Sequence, residues 1–344
     1  MKKYKQAGDI KVGVVGYGGA FNMGKAHLLE MQQAGMTPVA VAEIDPSRLE
    51  VATKEFPGIG TYQSLTEMLK KSDVNLITVI TPHNTHAPLA LEALRAGRHV
   101  VCEKPMAITT AECDAMIAAG QKSGAVLSTY HNRHWDGVII QAVKNVVQDR
   151  LIGDVVRVEA HMGGRWSPGD WWRTSKSISG GILYDWGVHL LEYSLQLINS
   201  EIVEVTGFAK RGYWGPQTKW KNDANEDEGF AVVRFKNGVV LTLLITNLDS
   251  NPRRGFLELT GTEGSYVMDW SANEHIKRVG TTLTTTHYSN PKSEGWRFYQ
   301  NLADHLTKGE KLVITAEWAR RPIHILDLAN RSAAKNISFK AKYK

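Results

Sequence analysis

Between residues 10 and 130 five short apolar runs, at 10–15, 39–42, 76–80, 99–102 and 125–128, alternate with stretches of helical periodicity. Runs of four to six residues are too short for buried helices, and their Val, Ile and Leu content suits strands that are apolar on both faces, as in a parallel sheet. Parallel strands need crossovers, and the intervening segments carry helix-start signals. Asp45-Pro46 reads as an N-cap with proline at the first helical position, and Ser64 with Glu67 and Thr109 with Glu112 read as capping boxes. An α/β, doubly wound parallel sheet with right-handed crossovers is the fold class that satisfies this alternation.

Past Tyr130 the rhythm changes. Residues 156–162 alternate with period two, 230–235 and 239–246 flank Lys236-Asn237-Gly238 as a hairpin, and 257–260 and 265–270 make another. Period two with one polar face marks an antiparallel sheet that is open on one side. Helical patterns at 183–198, 296–306 and 316–328 are expected to cover the other face, giving an α+β domain with an open, mostly antiparallel sheet. A chain of 344 residues is long enough for two such domains, 1–130 and 131–344.

Composition narrows the function. No stretch of about 18 uninterrupted apolar residues occurs, and Met1-Lys2-Lys3-Tyr4-Lys5-Gln6 leads into polar sequence, so a cytoplasmic protein is expected. Cys102 and Cys113 fit a reducing compartment and supply neither a disulfide framework nor a CxxC pair. The net excess of six basic groups is thinly spread, which argues against a nucleic-acid surface; Lys335, Lys340, Lys342 and Lys344 read as a solvated end. Tryptophan is partitioned sharply: all ten follow residue 134, and seven fall between 135 and 220. An indole offers a flat apolar face to a ring-shaped ligand, so small-molecule recognition is expected in the second domain.

The first strand run ends in Gly16-Tyr17-Gly18-Gly19-Ala20-Phe21-Asn22-Met23, and a helix begins near Met23. A glycine turn between strand and helix is the setting of a dinucleotide site. The first glycine makes the tight turn, the second lets backbone approach a pyrophosphate, and the helix N-terminus faces the charge. Gly16 and Gly18 fit those positions, while Phe21 stands where a third glycine would be and Gly24 comes later, so the loop is lengthened. Glu43 lies 27 residues after Gly16, at the end of the second run. A carboxylate there accepts from ribose hydroxyls and repels a 2′-phosphate, favouring NAD over NADP. Arg48, the nearby cation, falls on the following helix.

Three further segments carry chemistry: Thr81-Pro82-His83-Asn84-Thr85-His86, Glu103-Lys104-Pro105-Met106-Ala107, and Gly180-Gly181-Ile182-Leu183-Tyr184-Asp185-Trp186-Gly187-Val188-His189. In this order and spacing they resemble, across essentially the whole chain, the Gfo/Idh/MocA family of nicotinamide-dependent sugar and cyclitol oxidoreductases. The resemblance implies a Rossmann-like N-terminal domain that binds NAD, and a C-terminal domain that carries the substrate and often joins subunits into a homo-oligomer. Carried over residue by residue, it assigns Gly16, Gly18, Gly19, Ala20, Phe21, Asn22, Met23, Glu43, Thr81, Pro82, His83, His86, Glu103 and Lys104 to the cofactor. Many relatives have asparagine directly after the proline of the 81–86 segment; here His83 takes that place and Asn84 follows. His86 reads equally as a cofactor-loop residue or as a cap on the next helix. Lys104, Asp185 and His189 are the implied catalytic set.

Oxidising a secondary alcohol requires a base for the hydroxyl proton and a donor for the developing alkoxide. His189, whose ordinary pKa lies near neutrality, is the base, and Lys104 holds the oxygen. Asp185, four residues before His189, orients the imidazole or binds a neighbouring hydroxyl.

Tyr130-His131-Asn132-Arg133-His134-Trp135 resembles a segment of sugar oxidoreductases that include scyllo-inositol dehydrogenases, and assigns Asn132 and Arg133 to the substrate. Arg133 reads either as a hydroxyl donor or as an interdomain ion-pair partner. His131 and His134 have no third ligand at metal-site spacing, so no metal is expected. His161 is expected on the Arg157 and Glu159 face of its strand, opposite Val156, Val158 and Ala160. It leads into a loop where Arg165, Trp172 and Arg173 combine stacking faces with guanidinium forks. That loop suits a polyhydroxylated ring or a contact between subunits. Two reactions stay open: net oxidation of a ring alcohol, and a glycoside hydrolase or lyase in which retained NAD oxidises C3 transiently so that the aglycone is eliminated. A non-enzymatic NAD-binding sensor would leave the proton-transfer residues unexplained.

Overall fold

A computed structural model describes residues 4–343. The chain divides into two compact units, one running to Asn132 and regaining Trp296–Arg320, the other formed by Arg133–Gly295 and the residues from Arg321 onward.

In chain order the first unit contains β1 (Lys11–Val15), α1 (Met23–Gln33), β2 (Thr37–Ala42), α2 (Pro46–Glu55), β3 (Gly60–Tyr62), α3 (Leu65–Lys71), β4 (Leu76–Val79), α4 (His86–Arg95), β5 (His99–Cys102), α5 (Thr110–Ser123) and β6 (Leu127–Thr129). All neighbours are parallel, in the order β3-β2-β1-β4-β5-β6. This is the expected doubly wound sheet. Its strand order reverses between β1 and β4, which opens a crevice at their carboxyl ends. Asp45 accepts the Ser47 N–H at 2.9 Å, and Thr109 with Glu112 forms a reciprocal box. Ser64 caps Glu67, but the Glu67 carboxylate reaches back to the N–H of Gln63, one residue earlier than a capping box would take it. β3 has three residues and no apolar run, so no period announces it.

The second unit contains α6 (Gly137–Ala142), β7 (Val155–Gly163), α7 (Lys176–Ser179), α8 (Gly187–Leu197), β8 (Ile202–Lys210), β9 (Glu228–Phe235), β10 (Val240–Thr246), β11 (Leu257–Gly261), β12 (Ser265–Met268), β13 (Ala272–Val279) and β14 (Thr282–Ser289). α9 (Arg297–Thr307) follows, then α10 (Ala316–Lys335) and β15 (Phe339–Lys340). Nine strands form one sheet in the order β14-β13-β12-β11-β7-β10-β9-β8-β15, antiparallel except where β7 meets β10. Both expected hairpins are present, β9–β10 across 236–239 and β11–β12 across 262–264.

Two expectations are corrected. Residues 296–306 were expected to cover the second sheet, yet α9 packs in the first unit, where Tyr4 N–H donates to the Leu306 carbonyl at 3.1 Å and the Tyr299 hydroxyl lies 2.7 Å from His27. An apolar stripe states that a helix is covered and does not state by which sheet. The helix expected over 183–198 begins only at Gly187, because Gly180 and Gly181 take φ of 92° and 121° and residues 182–184 make a single tight turn. α8 lies across β7 and β10, and the second half of α10 lies on β8, where the Ser332 hydroxyl accepts the Gly207 N–H at 2.8 Å. Among the described residues no helix is long and apolar enough to cross a membrane.

Candidate active site

The glycine turn after β1 is built for backbone approach. Gly16 has φ of 101°, and a Cβ there would stand 2.9 Å from the carbonyl carbon of Ile80 and overlap its oxygen. Above Gly18 a Cβ would find no atom within 4 Å, the open cradle a phosphate needs. The Gly19 position lies 3.2 Å from the Arg48 guanidinium, whose Nε donates to the Tyr17 carbonyl at 2.9 Å. Ala20 and Phe21 form the exposed tip, Asn22 takes a left-handed φ of 50° as N-cap, and Met23 opens α1. Gly24 does the packing work of the missing third glycine, since a Cβ there would sit 2.6 Å from the Tyr17 ring and 2.9 Å from the Gly16 carbonyl. Glu43, at the end of β2, accepts three backbone N–H groups: Tyr17 at 2.6 Å, Ile44 at 2.7 Å and Asp45 at 3.1 Å. With about four acceptor sites, the carboxylate keeps capacity for a ribose hydroxyl. These residues fit a dinucleotide.

The loops after β4 and β5 are clamped together by His86. Its Nδ1 lies 2.8 Å from the Pro105 carbonyl and its Nε2 2.8 Å from the Thr81 carbonyl. Both carbonyls accept, so the ring bridges the two loops through whichever nitrogen carries the proton. The N-cap position of α4 belongs to Thr85, which also donates its hydroxyl to Thr81 and to the Pro82 carbonyl. His83 is buried beside it. Lys104 follows β5, its backbone N–H on the Glu103 carboxylate at 2.8 Å.

In the second unit the Gly180-Gly181 turn is seated on Glu226. A Cβ on Gly181 would lie 2.8 Å from that carboxylate, which accepts the Ile182 N–H at 3.1 Å and pairs with Lys176 and Arg211. Burial pushes the Glu226 carboxyl upward, but the charge and hydrogen bond of Lys176 and the charge of Arg211 hold it below the usual range. Asp185 sits in the break before α8 and takes the guanidinium of Arg173, which also lies 5.3 and 5.1 Å from the rings of Trp171 and Trp172. His189 is the third residue of α8, 6% exposed, with its ring 5.6 Å from the Trp186 indole. Trp186 faces Trp270 at 5.7 Å, Trp270 stacks on Phe256, and Arg133 lies 5.3 and 5.8 Å over the two indoles. The ion-pair partner of Arg133 is Asp136, in its own unit, at 2.9 Å. The structure thus gathers Arg133, Trp186 and His189 in one cluster, and Trp172, Arg173 and Asp185 in another.

Other expected residues lie elsewhere. Arg165 turns to Tyr213, 2.6 Å from its hydroxyl. Asn132 ends the first unit and opens a short turn over Asn132–Trp135. His134 lies 2.5 Å from the buried Glu192 carboxylate. On β7, Val158 and Ala160 are buried as expected, but Val156 is 50% exposed because the strand's first residues run past the layer. His161 is buried, and burial followed by the charge of Arg253 lowers its pKa. Glu226 and Trp270 escaped the sequence reading, and neither had a local signal there; Gly24 is the later glycine that the lengthened loop offered.

Two family models match the chain: an oxidoreductase family with an NAD-binding Rossmann fold over residues 10–131, and a GFO/IDH/MocA C-terminal domain over residues 140–267. The chain belongs to the Gfo/Idh/MocA family of NAD-binding oxidoreductases. It is 32% identical to the uncharacterized oxidoreductase YdgJ of Escherichia coli (strain K12) over 55% of this chain, and the match spans about half, 54%, of that relative. It is 29% identical to scyllo-inositol 2-dehydrogenase (NADP(+)) IolW of Bacillus subtilis (strain 168), over 97% of this chain and 96% of that one. An NAD-binding protein from Listeria innocua shares the fold with a TM-score of 0.80 at 25% identity, covering 98% of this chain and 97% of that one.

Proposed function

We propose that the protein is an NAD-dependent dehydrogenase that oxidises a ring secondary alcohol of a sugar, glycoside or cyclitol in the cytoplasm. The observation that carries this reading is the cluster at the start of α8: His189 beside the Trp186 indole, with Trp270 and Arg133 completing an aromatic and cationic wall. Indole faces suit the C–H side of a polyhydroxylated ring, and the guanidinium forks of Arg133 and Arg173 suit its hydroxyls. His189 removes the hydroxyl proton, the Lys104 ammonium stabilises the oxygen as it becomes an alkoxide, and Asp185, held by Arg173, fixes a neighbouring hydroxyl. NAD, when bound, supplies the hydride acceptor. Gly16, Gly18 and the start of α1 would hold its pyrophosphate, and Glu43 its adenosine ribose. Although IolW is named for NADP(+), the Glu43 carboxylate at the end of β2 supports NAD here.

A second copy of the chain is proposed to cover the open face of the nine-stranded sheet, where Phe208 and Phe230 pair across β8 and β9 and Phe208 is 56% exposed. Light scattering on the purified protein reads this directly; a monomer at all concentrations removes it.

The function is tested by following absorbance at 340 nm with NAD against inositols, free hexoses and aryl glucosides, with product analysis of the same wells. Stoichiometric NADH with a keto product is expected, and His189→Ala should lower kcat by about 10²- to 10⁴-fold while NADH still binds. Aglycone release without net NADH would replace the dehydrogenase by a redox-assisted hydrolase or lyase.

A further inference from the structure

Behind Lys104 lies a buried polar chain that begins on α1. The Glu103 side chain is only 13% exposed, and its carboxylate works twice: Oε2 accepts the Lys104 backbone N–H at 2.8 Å, and Oε1 lies 3.1 Å from Nε2 of His27. His27 is fully buried, with Nδ1 2.7 Å from the Tyr299 hydroxyl, itself 3.1 Å from the hydroxyl of Thr78 on β4. Tyr130 and Tyr299 hold the imidazole edge-on at 4.2 and 5.8 Å. An ionised carboxylate only accepts, so Nε2 of His27 carries a proton and donates it to Glu103. Every member of the chain belongs to the first unit.

We propose that His27 is a positioning residue for Lys104: its hydrogen bond keeps Glu103 ionised and fixed, and the fixed carboxylate anchors the main chain from which the Lys104 ammonium acts. The inference rests on the assignment of Lys104 as the group that holds the reacting oxygen.

Opposing influences meet at Glu103. Burial is the largest influence and pushes its carboxyl up; the hydrogen bond and charge of His27, then Lys104, outweigh it and hold the group below the usual range. The other titratable groups around it are Glu30 from α1, Cys102 at the end of β5, Tyr130 after β6 and Tyr299 on α9. Burial pushes both phenols and the thiol up, so these stay neutral, and Tyr130 spends its proton on Glu30 at 2.6 Å. None of them replaces the donor that His27 supplies. Without it burial decides, Glu103 takes a proton, and the charge-assisted bond to the Lys104 N–H is lost.

The test compares His27→Ala, His27→Gln, Glu103→Gln and Lys104→Met with the panel alcohol that yields NADH. His27→Ala is expected to lower kcat roughly 10- to 100-fold at neutral pH, as for a reacting group misplaced by about 1 Å, with NADH affinity unchanged. The acid limb of its pH profile should move up, so the deficit shrinks as pH rises, and His27→Gln, which restores an N–H donor, should recover most of kcat. Infrared difference spectra should show a protonated carboxyl band in His27→Ala at neutral pH that disappears when Glu103→Gln is added. If His27→Ala fails to fold, Glu103→Gln alone carries the test and should lose kcat to a similar extent at every pH. Unchanged kcat in His27→Ala or in Glu103→Gln, a pH-independent deficit in His27→Ala, or no rescue by His27→Gln overturns the positioning role. Lys104→Met separates the two levels: full turnover there would sink the assignment of Lys104 itself, whereas loss there with unaffected His27 variants would sink only the present inference.

Discussion

Gly16 and Gly18 are two residues apart in one loop, and the structure assigns them opposite liabilities. Alanine at Gly16 must adopt a φ of 101°, which costs a residue with a Cβ about 1–3 kcal/mol. Its methyl would also press on the Ile80 carbonyl, with the carbonyl carbon at 2.9 Å, and overpacking of that kind adds roughly 1–3 kcal/mol. Gly16→Ala is therefore expected to lose about 2–6 kcal/mol of folding stability, read as a lower urea midpoint at constant slope. Alanine at Gly18 meets nothing within 4 Å, so stability should stay within about 0.5 kcal/mol of wild type. Its methyl instead fills the space a pyrophosphate takes, and NADH affinity by fluorescence titration should fall at least about tenfold, roughly 1.4 kcal/mol. A Gly18→Ala protein that binds NADH as wild type does would refute the cradle. One that unfolds as early as Gly16→Ala would refute the geometry of the loop.

Other expectations follow from groups described above. Glu43→Ala should narrow the preference for NADH over NADPH in competitive binding, and an undiminished preference would remove Glu43 from the ribose. Glu226→Gln leaves Lys176 and Arg211 without their buried partner and should destabilise the fold by about 3 kcal/mol. Because the folded Glu226 carboxyl lies below its unfolded value of 4.5, the difference from wild type should be full above that pH and fade as pH falls through the lowered value. A thermal-shift series that shows no such convergence counts against it. His99, 5% exposed, accepts the Val126 N–H at 2.9 Å on Nδ1, and burial lowers its pKa from 6.5 to about 4. The unfolded chain binds that proton first, so about 3 kcal/mol should be lost as pH falls from 6.5 to 4. A normal imidazole titration by NMR would contradict this.

The first sheet was legible because each of its longer strands is an apolar run closed by a turn or a cap, signals that lie within about ten residues of one another. Asp45-Pro46 and Thr109 with Glu112 formed the caps their spacing announces. β3, with one apolar residue in three, and the Thr-rich, exposed β14 had no such pattern to read. Motif order was enough to put Lys104, Asp185 and His189 forward, but much of what surrounds Asp185 and His189 comes from elsewhere in the chain. Arg173 reaches Asp185 across a loop, Glu226 meets Gly181 from 45 residues away, and Trp270 joins Trp186 from 84 residues away. α9 failed for the same reason: its apolar stripe is compatible with either sheet until tertiary packing chooses.

The return of Trp296–Arg320 to the first unit has a consequence for synthesis. A ribosome finishes Asn132 long before it reaches Tyr299, whose hydroxyl supplies the partner for the buried His27 and Thr78. At about 5–20 residues per second the wait is roughly 8–33 s. Throughout it the nascent six-stranded sheet holds one imidazole nitrogen and one hydroxyl whose Tyr299 partner has not been made, beside apolar surface that α9 will later bury. Stalled chains ending before Trp296 should accordingly be cut by protease at the α1 surface, and chains extended past Arg320 should resist. For this family member, the half of the molecule that is translated first is completed nearly last.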